Sequence, residues 1–306
     1  MVIKLKLVSY TKIKENLKEI VNNNGIVFVV KDDAYNFKIS KIVPLAIDVG
    51  IKEFAVIDIN DAIKIRNIDN NIDILLLANG RNNINIIKKY NLIPTIENIE
   101  EYNYYSNNDI KMALKIDVGM HRFGFNRLFN KYLFDENIIE IYFHLPYYDK
   151  SYNSLINDYI CILDSYNKKY HFGGSILYHR NYPLRFGIIA YENSIKYYGR
   201  ILKVNTLKAK GSLGYNASYK SNKDMKYAVI DVGYYNGLPR NFKYRVFYNG
   251  KYYNSLGILC MNHMFIEADD NFIIDDYVEI IGDNCNILDI VNDNNYSLYE
   301  LLLNLK

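Results

Sequence analysis

A chain of 306 residues, half of them apolar, can build one large domain or two and is too apolar to be intrinsically disordered. Its formal charge of +3 and the lack of a long basic run argue against a nucleic-acid groove, and no stretch reaches the ~20 apolar residues of a membrane helix. The three cysteines, Cys161, Cys260 and Cys285, are too widely spaced for a zinc pattern or a disulfide framework and suit a reducing compartment. The amino terminus lacks the apolar core of a signal peptide, so a soluble, cytoplasmic protein is expected.

Residues 1–7 alternate like a strand, and apolar residues recur at helical spacing from Thr11 to about Asn23 (Ile13, Leu17, Ile20, Val21). Ile26–Val30 follows as an apolar, β-branched run that reads as a strand buried on both faces. Lys31 comes directly after it. A lysine at the carboxyl end of a buried strand is a candidate imine-forming amine, because desolvation disfavours the ammonium form. Taken alone, it reads better as a lysine that snorkels out of the strand end.

Further strands are expected at Glu53–Asp58, Asp73–Asn79, Leu92–Ile96, Met112–Gly119, Ile138–Leu145, Tyr170–Ser175 and Leu184–Ile188. Amphipathic segments such as Asn60–Asn67 and Asn82–Tyr90 lie between several of them. About eight β/α units is the number that closes a barrel, which sets the strands' carboxyl ends around one mouth. Lys31, Asp117, His144, Ser175 and Arg185 fall there. Gly173-Gly174-Ser175 and Arg185-Phe186-Gly187 occupy the positions after strands seven and eight, where barrels of this type bind phosphate. Glycines let backbone amides approach an anion, and a serine hydroxyl adds a donor.

After about Ser194 short strands and turns replace this alternation: Arg200–Lys210, Lys226–Val232, Lys243–Tyr248, Leu256–Met261 and Tyr277–Ile281. Asn236-Gly237 and Asn249-Gly250 mark turns between them, and a helix at Leu298–Leu305 closes the chain. The expected fold is α/β: a (β/α)8 TIM-like barrel over 1–194, then a mostly-β domain over 195–306. Residues 1–10 are candidates to add a strand to that second domain.

Five motifs in this order resemble the alanine racemase family, pyridoxal phosphate-dependent enzymes of fold type III, over essentially the whole chain. They are Lys31-Asp32-Asp33-Ala34-Tyr35, the run Leu114–Gly124, Leu184-Arg185-Phe186-Gly187-Ile188, Tyr215-Asn216-Ala217-Ser218-Tyr219 and Leu259-Cys260-Met261. The resemblance implies racemisation of alanine by two bases working on opposite faces of the substrate imine with pyridoxal 5'-phosphate. Lys31 would hold the cofactor and serve the D-enantiomer, and Tyr215 the L-enantiomer. Tyr35, His144, Ser175, Arg185, Gly187 and Ile188 would bind the cofactor, while Arg122 and Met261 would bind the substrate.

The resemblance further implies that Arg185 meets the pyridine nitrogen, which stays largely unprotonated because guanidinium keeps its proton. A phenol of unperturbed pKa ~10 needs a cationic neighbourhood to act near neutrality, and His144 with Arg185 are expected to supply it. Lys115 matches a lysine that can be carbamylated; from the residues alone it reads as well as an ion-pair partner of Asp117 or another carboxylate. A homodimer with shared sites follows, Tyr215, Tyr234 and Met261 reaching across to the partner. D-alanine for a bacterial cell wall is the product the family implies.

His171 reads as a structural residue near the phosphate loop, and His121, His179 and His263 lack metal-ligand spacing. Asn36 and Phe37 replace the family's usual glycine and histidine, Gly174 an asparagine, and Ile258 and Asn262 an arginine and an aspartate of the access channel. The closing helix is not followed by the family's arginine-rich segment with its terminal tyrosine. These departures leave open a racemase of serine or of a larger or basic amino acid, or a pyridoxal phosphate-binding protein of reduced activity.

Overall fold

The computed structural model describes residues 6–77, 81–147, 149, 151–174, 177–178 and 180–306. The chain divides into two units, one of Ile13–Ala190 and the other of the chain start through Lys12 together with Tyr191–Lys306.

In the first unit eight parallel strands close a barrel. They are β2 (Gly25–Val29), β3 (Glu53–Val56), β4 (Asp73–Leu76), β5 (Ile93–Ile96), β6 (Met112–Ile116), β7 (Ile138–His144), β8 (Lys169–Gly173) and β9 (Leu184–Phe186); β1 (Lys6–Val8) belongs to the other unit. Closure runs through the β2–β9 pair, where Phe28 stacks on Phe186 with ring centroids 4.9 Å apart. Every residue of β3, β5 and β6 is buried, as expected for strands covered by helices on one face and by the barrel interior on the other. In β2, Ile26 is the exception to the expected two-sided burial and is exposed. The abundant asparagines serve local structure here. Asn83 and Asn98 cap the helices Ile84–Tyr90 and Ile99–Ser106 by accepting from backbone N–H groups, and Asn91 takes a left-handed cap position.

The second unit is built on β10 (Ile195–Leu207), a 13-residue strand. β11 (Ser212–Leu213) and β12 (Tyr219–Lys220) form a separate small pair. With β13 (Met225–Ile230), β14 (Arg245–Tyr248), β15 (Lys251–Asn254), β16 (Met264–Ala268) and β17 (Tyr277–Ile281), β10 forms an antiparallel sheet of order β15-β14-β17-β10-β13-β16. β1 joins the same sheet against the start of β10, pairing Lys6 with Tyr197 and Val8 with Ile195. Two register shifts in β10, at Tyr197/Tyr198 and Ile201/Lys203, let its first half pair with β17 and its second with β13. The helices Ile287–Asp293 and Leu298–Asn304 follow, the latter capped by Ser297 accepting from the Glu300 N–H.

Two strand assignments made from sequence change. Leu256–Met261 is a loop, and the strand lies at Met264–Ala268, paired with β13. Gly257 stands at φ +70°, and the N–H groups of Leu259 and Cys260 bond to Arg240 and His263 carbonyls, so the apolar run forms no ladder. Lys251–Asn254, not expected as a strand, completes a hairpin across Asn249 and Gly250, whose φ values of 46° and 79° suit a tight turn. Ser175, Asn79 and His179 lie outside the described residues.

Candidate active site

Lys31 follows β2 and opens a single helical turn, Lys31–Tyr35, that coils left-handed. Asp32, Asp33, Ala34, Tyr35 and Asn36 all have φ between 53° and 67°. Left-handed helix costs an L-residue roughly 1–2 kcal/mol, so a run of five needs outside support. Asp33 supplies much of it. Its carboxylate accepts from the Ile39 N–H and from the Lys38 ammonium at 3.0 Å each, while its own N–H donates to Asp61 at 3.0 Å. Lys64 ties the two aspartates together, 2.8 Å from Asp61 and 3.7 Å from Asp33. Burial alone would raise the Asp33 carboxyl, but the Ile39 N–H and the Lys38 and Lys64 ammonium groups hold it below its ordinary value.

The same turn delivers Tyr35 to the end of β9. The Tyr35 ring is buried, with the Lys31 ammonium 6.0 Å from its centroid. Its hydroxyl lies so close to Gly187 that a Cβ there would stand 2.4 Å from the oxygen. Only glycine permits that approach. Ile188, next in the chain, is also buried.

Arg185 lies inside the barrel, 5 % exposed, and donates through Nη1 to His171 Nδ1 at 3.0 Å. Through Nη2 it donates to the Phe143 carbonyl and to His144 Nδ1, 3.3 Å in each case. A guanidinium has no acceptor, so both histidines present a bare Nδ1 and carry their proton on Nε2. Burial, followed by the charges of Arg185, Arg122, Lys115 and Lys31, pushes His144 down to about 3. His144 is therefore neutral, and the expectation that it joins Arg185 as a cation is corrected: of the two, only Arg185 carries charge. The Tyr142 ring completes the column, 4.5 Å from the guanidinium carbon and stacked on His171 at 5.2 Å. Its hydroxyl is bonded to Thr95 Oγ1 at 3.0 Å. Gly173 makes room for all of this, since a Cβ would stand 2.2 Å from Arg185 Nη2.

Lys115, buried on β6, pairs with Glu97, which directly follows β5, at 3.7 Å. Burial lowers Lys115 to about 8, with Glu97 opposing and Arg122 and Arg185 adding to the shift. Burial likewise raises Glu97 to about 7 against the pull of Lys115. Of the expected alternatives, Asp117 or another carboxylate, the partner is thus Glu97; the Asp117 carboxylate accepts from the N–H groups of Gly119, Met120 and His121 at 3.0–3.1 Å and shapes the loop that carries Arg122. His171 lies within β8, two residues before Gly173, and is bonded to Arg185.

In the other unit, Tyr215 opens a short 3-10 turn after Gly214 and is 64 % exposed. Ser218, at the end of that turn, accepts from the Ile258 N–H at 3.3 Å. From the same loop the carbonyls of Cys260 and Met261 accept from the N–H groups of Tyr234 and Tyr235. Tyr215, Met261 and Tyr234 thus sit on three linked loops, all with exposed side chains.

Residues 8–151 match the family model "Alanine racemase, N-terminal domain", and residues 195–306 match "Alanine racemase, C-terminal domain". The chain belongs to the alanine racemase family. An alanine racemase of Wigglesworthia glossinidia brevipalpis is 27% identical, the match covering 94% of this chain and 91% of that protein. One of Borreliella burgdorferi is 25% identical over 98% of this chain and 94% of its own. Among solved structures, the alanine racemase of Bartonella henselae with covalently bound pyridoxal phosphate has the same fold, with a TM-score of 0.84 at 23% identity, covering 98% of this chain and 96% of that one.

Reading the sequence for family motifs missed Glu97, Tyr142, Thr95 and Glu140. Glu97 carried a signal: it follows the run read as a strand through Ile96, and so had to fall at the mouth. The others face the barrel interior from mid-strand, where alternation alone does not separate a polar partner from core filling.

Proposed function

We propose that this member of the alanine racemase family is a pyridoxal 5'-phosphate-dependent amino-acid racemase that interconverts L- and D-alanine. The observation that carries the reading is the Arg185 column, a buried guanidinium whose partners are two neutral histidines and a carbonyl, with Lys31, Lys115 and Arg122 close enough to act on the same His144. Such a cation-rich mouth suits a cofactor that brings a phosphate and a phenolic oxygen. The Tyr35 hydroxyl over Gly187 offers a donor beside backbone with no side chain in the way. The residues present fit the group.

Lys31 would hold the cofactor through its amine; Tyr35, Gly187, Ile188 and Ser175 would hold its phosphate, and Arg185 with His144 its ring. When bound, pyridoxal phosphate draws electrons from the α-carbon of an attached amino acid and acidifies its α-proton. Lys31 then takes or returns that proton on one face, and Tyr215 of the partner subunit on the other. Arg122 and Met261 bind the substrate carboxylate. Arg185 keeps its proton throughout and so acts as a fixed donor. Burial of the Lys115 amine favours the neutral form that carbamylation requires. The exposed Tyr215, Tyr234 and Met261 support a homodimer with shared sites, and three free cysteines support a reducing, cytoplasmic setting.

The test is deuterium exchange and racemisation of L-alanine by the purified protein with added pyridoxal phosphate, its absorbance recorded in the same sample. Colour with turnover supports the reading. A colourless protein without turnover overturns it, and colour without alanine turnover limits it to cofactor binding or another substrate.

A further inference from the structure

Below Arg185 the polar column continues toward the strands' amino-terminal ends. His171, Glu140 and Glu53 are all at least 97 % buried by exposures of 0 %, 0 % and 3 %. His171 Nε2 is 3.7 Å from Glu140 Oε2, and Lys169 contacts Glu53 and stands 3.5 Å from Glu140. Glu53 Oε1, both Glu140 oxygens and His171 Nε2 have no hydrogen bond of normal length. Two carboxylates and an imidazole with donor atoms within 4.8 Å of one another have the composition of a metal site. Two observations turn the reading elsewhere. Arg185 donates to Nδ1, which leaves the His171 proton on Nε2, the atom a metal would need bare. The Lys169 ammonium already provides the cation.

We infer that Glu140 is a positioning residue for Arg185, acting through His171; the inference rests on the cofactor reading above. The donors run one way: Arg185 N–H to His171 Nδ1, then His171 Nε2–H toward Glu140, whose neighbour Glu53 is neutralised by Lys169. Burial and the Glu53 charge raise the Glu140 carboxyl well above its ordinary value, so Glu140 offers His171 a carbonyl oxygen and has a proton for Glu53. Arg185 sets the His171 tautomer, and the Glu140 oxygen 3.7 Å from Nε2 orients the ring that receives Arg185 Nη1.

The experiment compares wild type, Glu140→Gln and Glu140→Leu. Imidazole 15N spectra, with His171→Gln identifying the His171 signals, should show Nδ1 bare and Nε2 protonated in wild type and in Glu140→Gln, which keeps a carbonyl acceptor. In Glu140→Leu the Nε2–H no longer faces an oxygen, so its 15N signal should shift while Nδ1 stays bare on Arg185. The ratio of pyruvate released by transamination to alanine racemised should rise about tenfold in Glu140→Leu, the effect of one lost buried acceptor, and stay near wild type in Glu140→Gln. A wild-type His171 protonated on Nδ1 or on both nitrogens overturns the inference. So does a Glu140→Leu protein that is only less stable, with unchanged spectra and ratio. If Glu140→Leu does not fold, the wild-type and Glu140→Gln spectra decide. If no cofactor binds, the functional reading fails while the spectra still test the tautomer.

Discussion

Replacing Glu97 by Gln should reverse the sign of the pH dependence of stability between pH 5 and 7. Glu97 rises from 4.5 to about 7 on folding, chiefly through burial. The folded state therefore keeps a proton that the unfolded chain gives up above 4.5, and stability falls as pH climbs through that window, by about 3 kcal/mol in all. Glu97→Gln removes this loss. It also removes the carboxylate 3.7 Å from Lys115. At an effective dielectric of 20 that is worth about 4 kcal/mol, so Lys115 should hold its proton up to about a thousandfold less tightly. Lys115 already sits at about 8, below its ordinary 10.5, and a lysine lowered on folding gains stability as pH rises from its folded value to its unfolded one. In the variant that gain begins earlier and extends into the window where wild type is losing. Urea midpoints measured at half-unit steps from pH 5 to 8.5 give the two curves, and groups common to both proteins cancel in the difference. Parallel curves between pH 5 and 7 would refute the reasoning.

Gly173→Ala should displace the guanidinium column, since the new Cβ meets Arg185 Nη2 at 2.2 Å and His144 Nδ1 at 2.8 Å; a loss of about 1–3 kcal/mol in urea and a shifted cofactor absorbance are expected. Lys169→Met leaves Glu53 and Glu140 buried without their cation, and should cost about 3 kcal/mol by chemical denaturation, the lower end of the range because Lys169 is 43% exposed. Tyr215→Phe should lower turnover from L-alanine by about 10²–10⁴-fold while the cofactor absorbance stays, as measured by initial rates in each direction. Equal rates from L-alanine in wild type and variant would remove Tyr215 from the base assignment.

The barrel strands were legible because each is a short apolar run ended by turn residues, and strand ends define a mouth whatever the loop lengths. Lys31, His144 and Arg185 were legible for the same reason, as polar residues placed where buried strands stop. Leu256–Met261 misled because its apolar content reads as a strand, while Gly257 at φ +70° and the backbone hydrogen bonds turn the chain away from a ladder. Glu97 with Lys115, and Glu140 with His171, were out of reach because their pairing is set across neighbouring barrel strands. The charge state of His144 was equally hidden: a histidine's state depends on burial and on cations brought from three separate strands and the loops after them.

The left-handed turn after β2 has a consequence for how the protein opens. A residue leaving that conformation must pass through φ near zero, where the backbone clashes with itself. Backbone hydrogen bonds tie the turn together, Ala34 to Val30, Asn36 to Asp32 and Lys38 to Asp33, each donated by a residue at positive φ. No single residue can flip without breaking bonds that its neighbours rely on. The segment should therefore unlatch cooperatively, with the amides of Ala34, Asn36 and Lys38 exchanging hydrogen at one shared rate. Between such events the turn keeps Lys31 at the carboxyl end of β2.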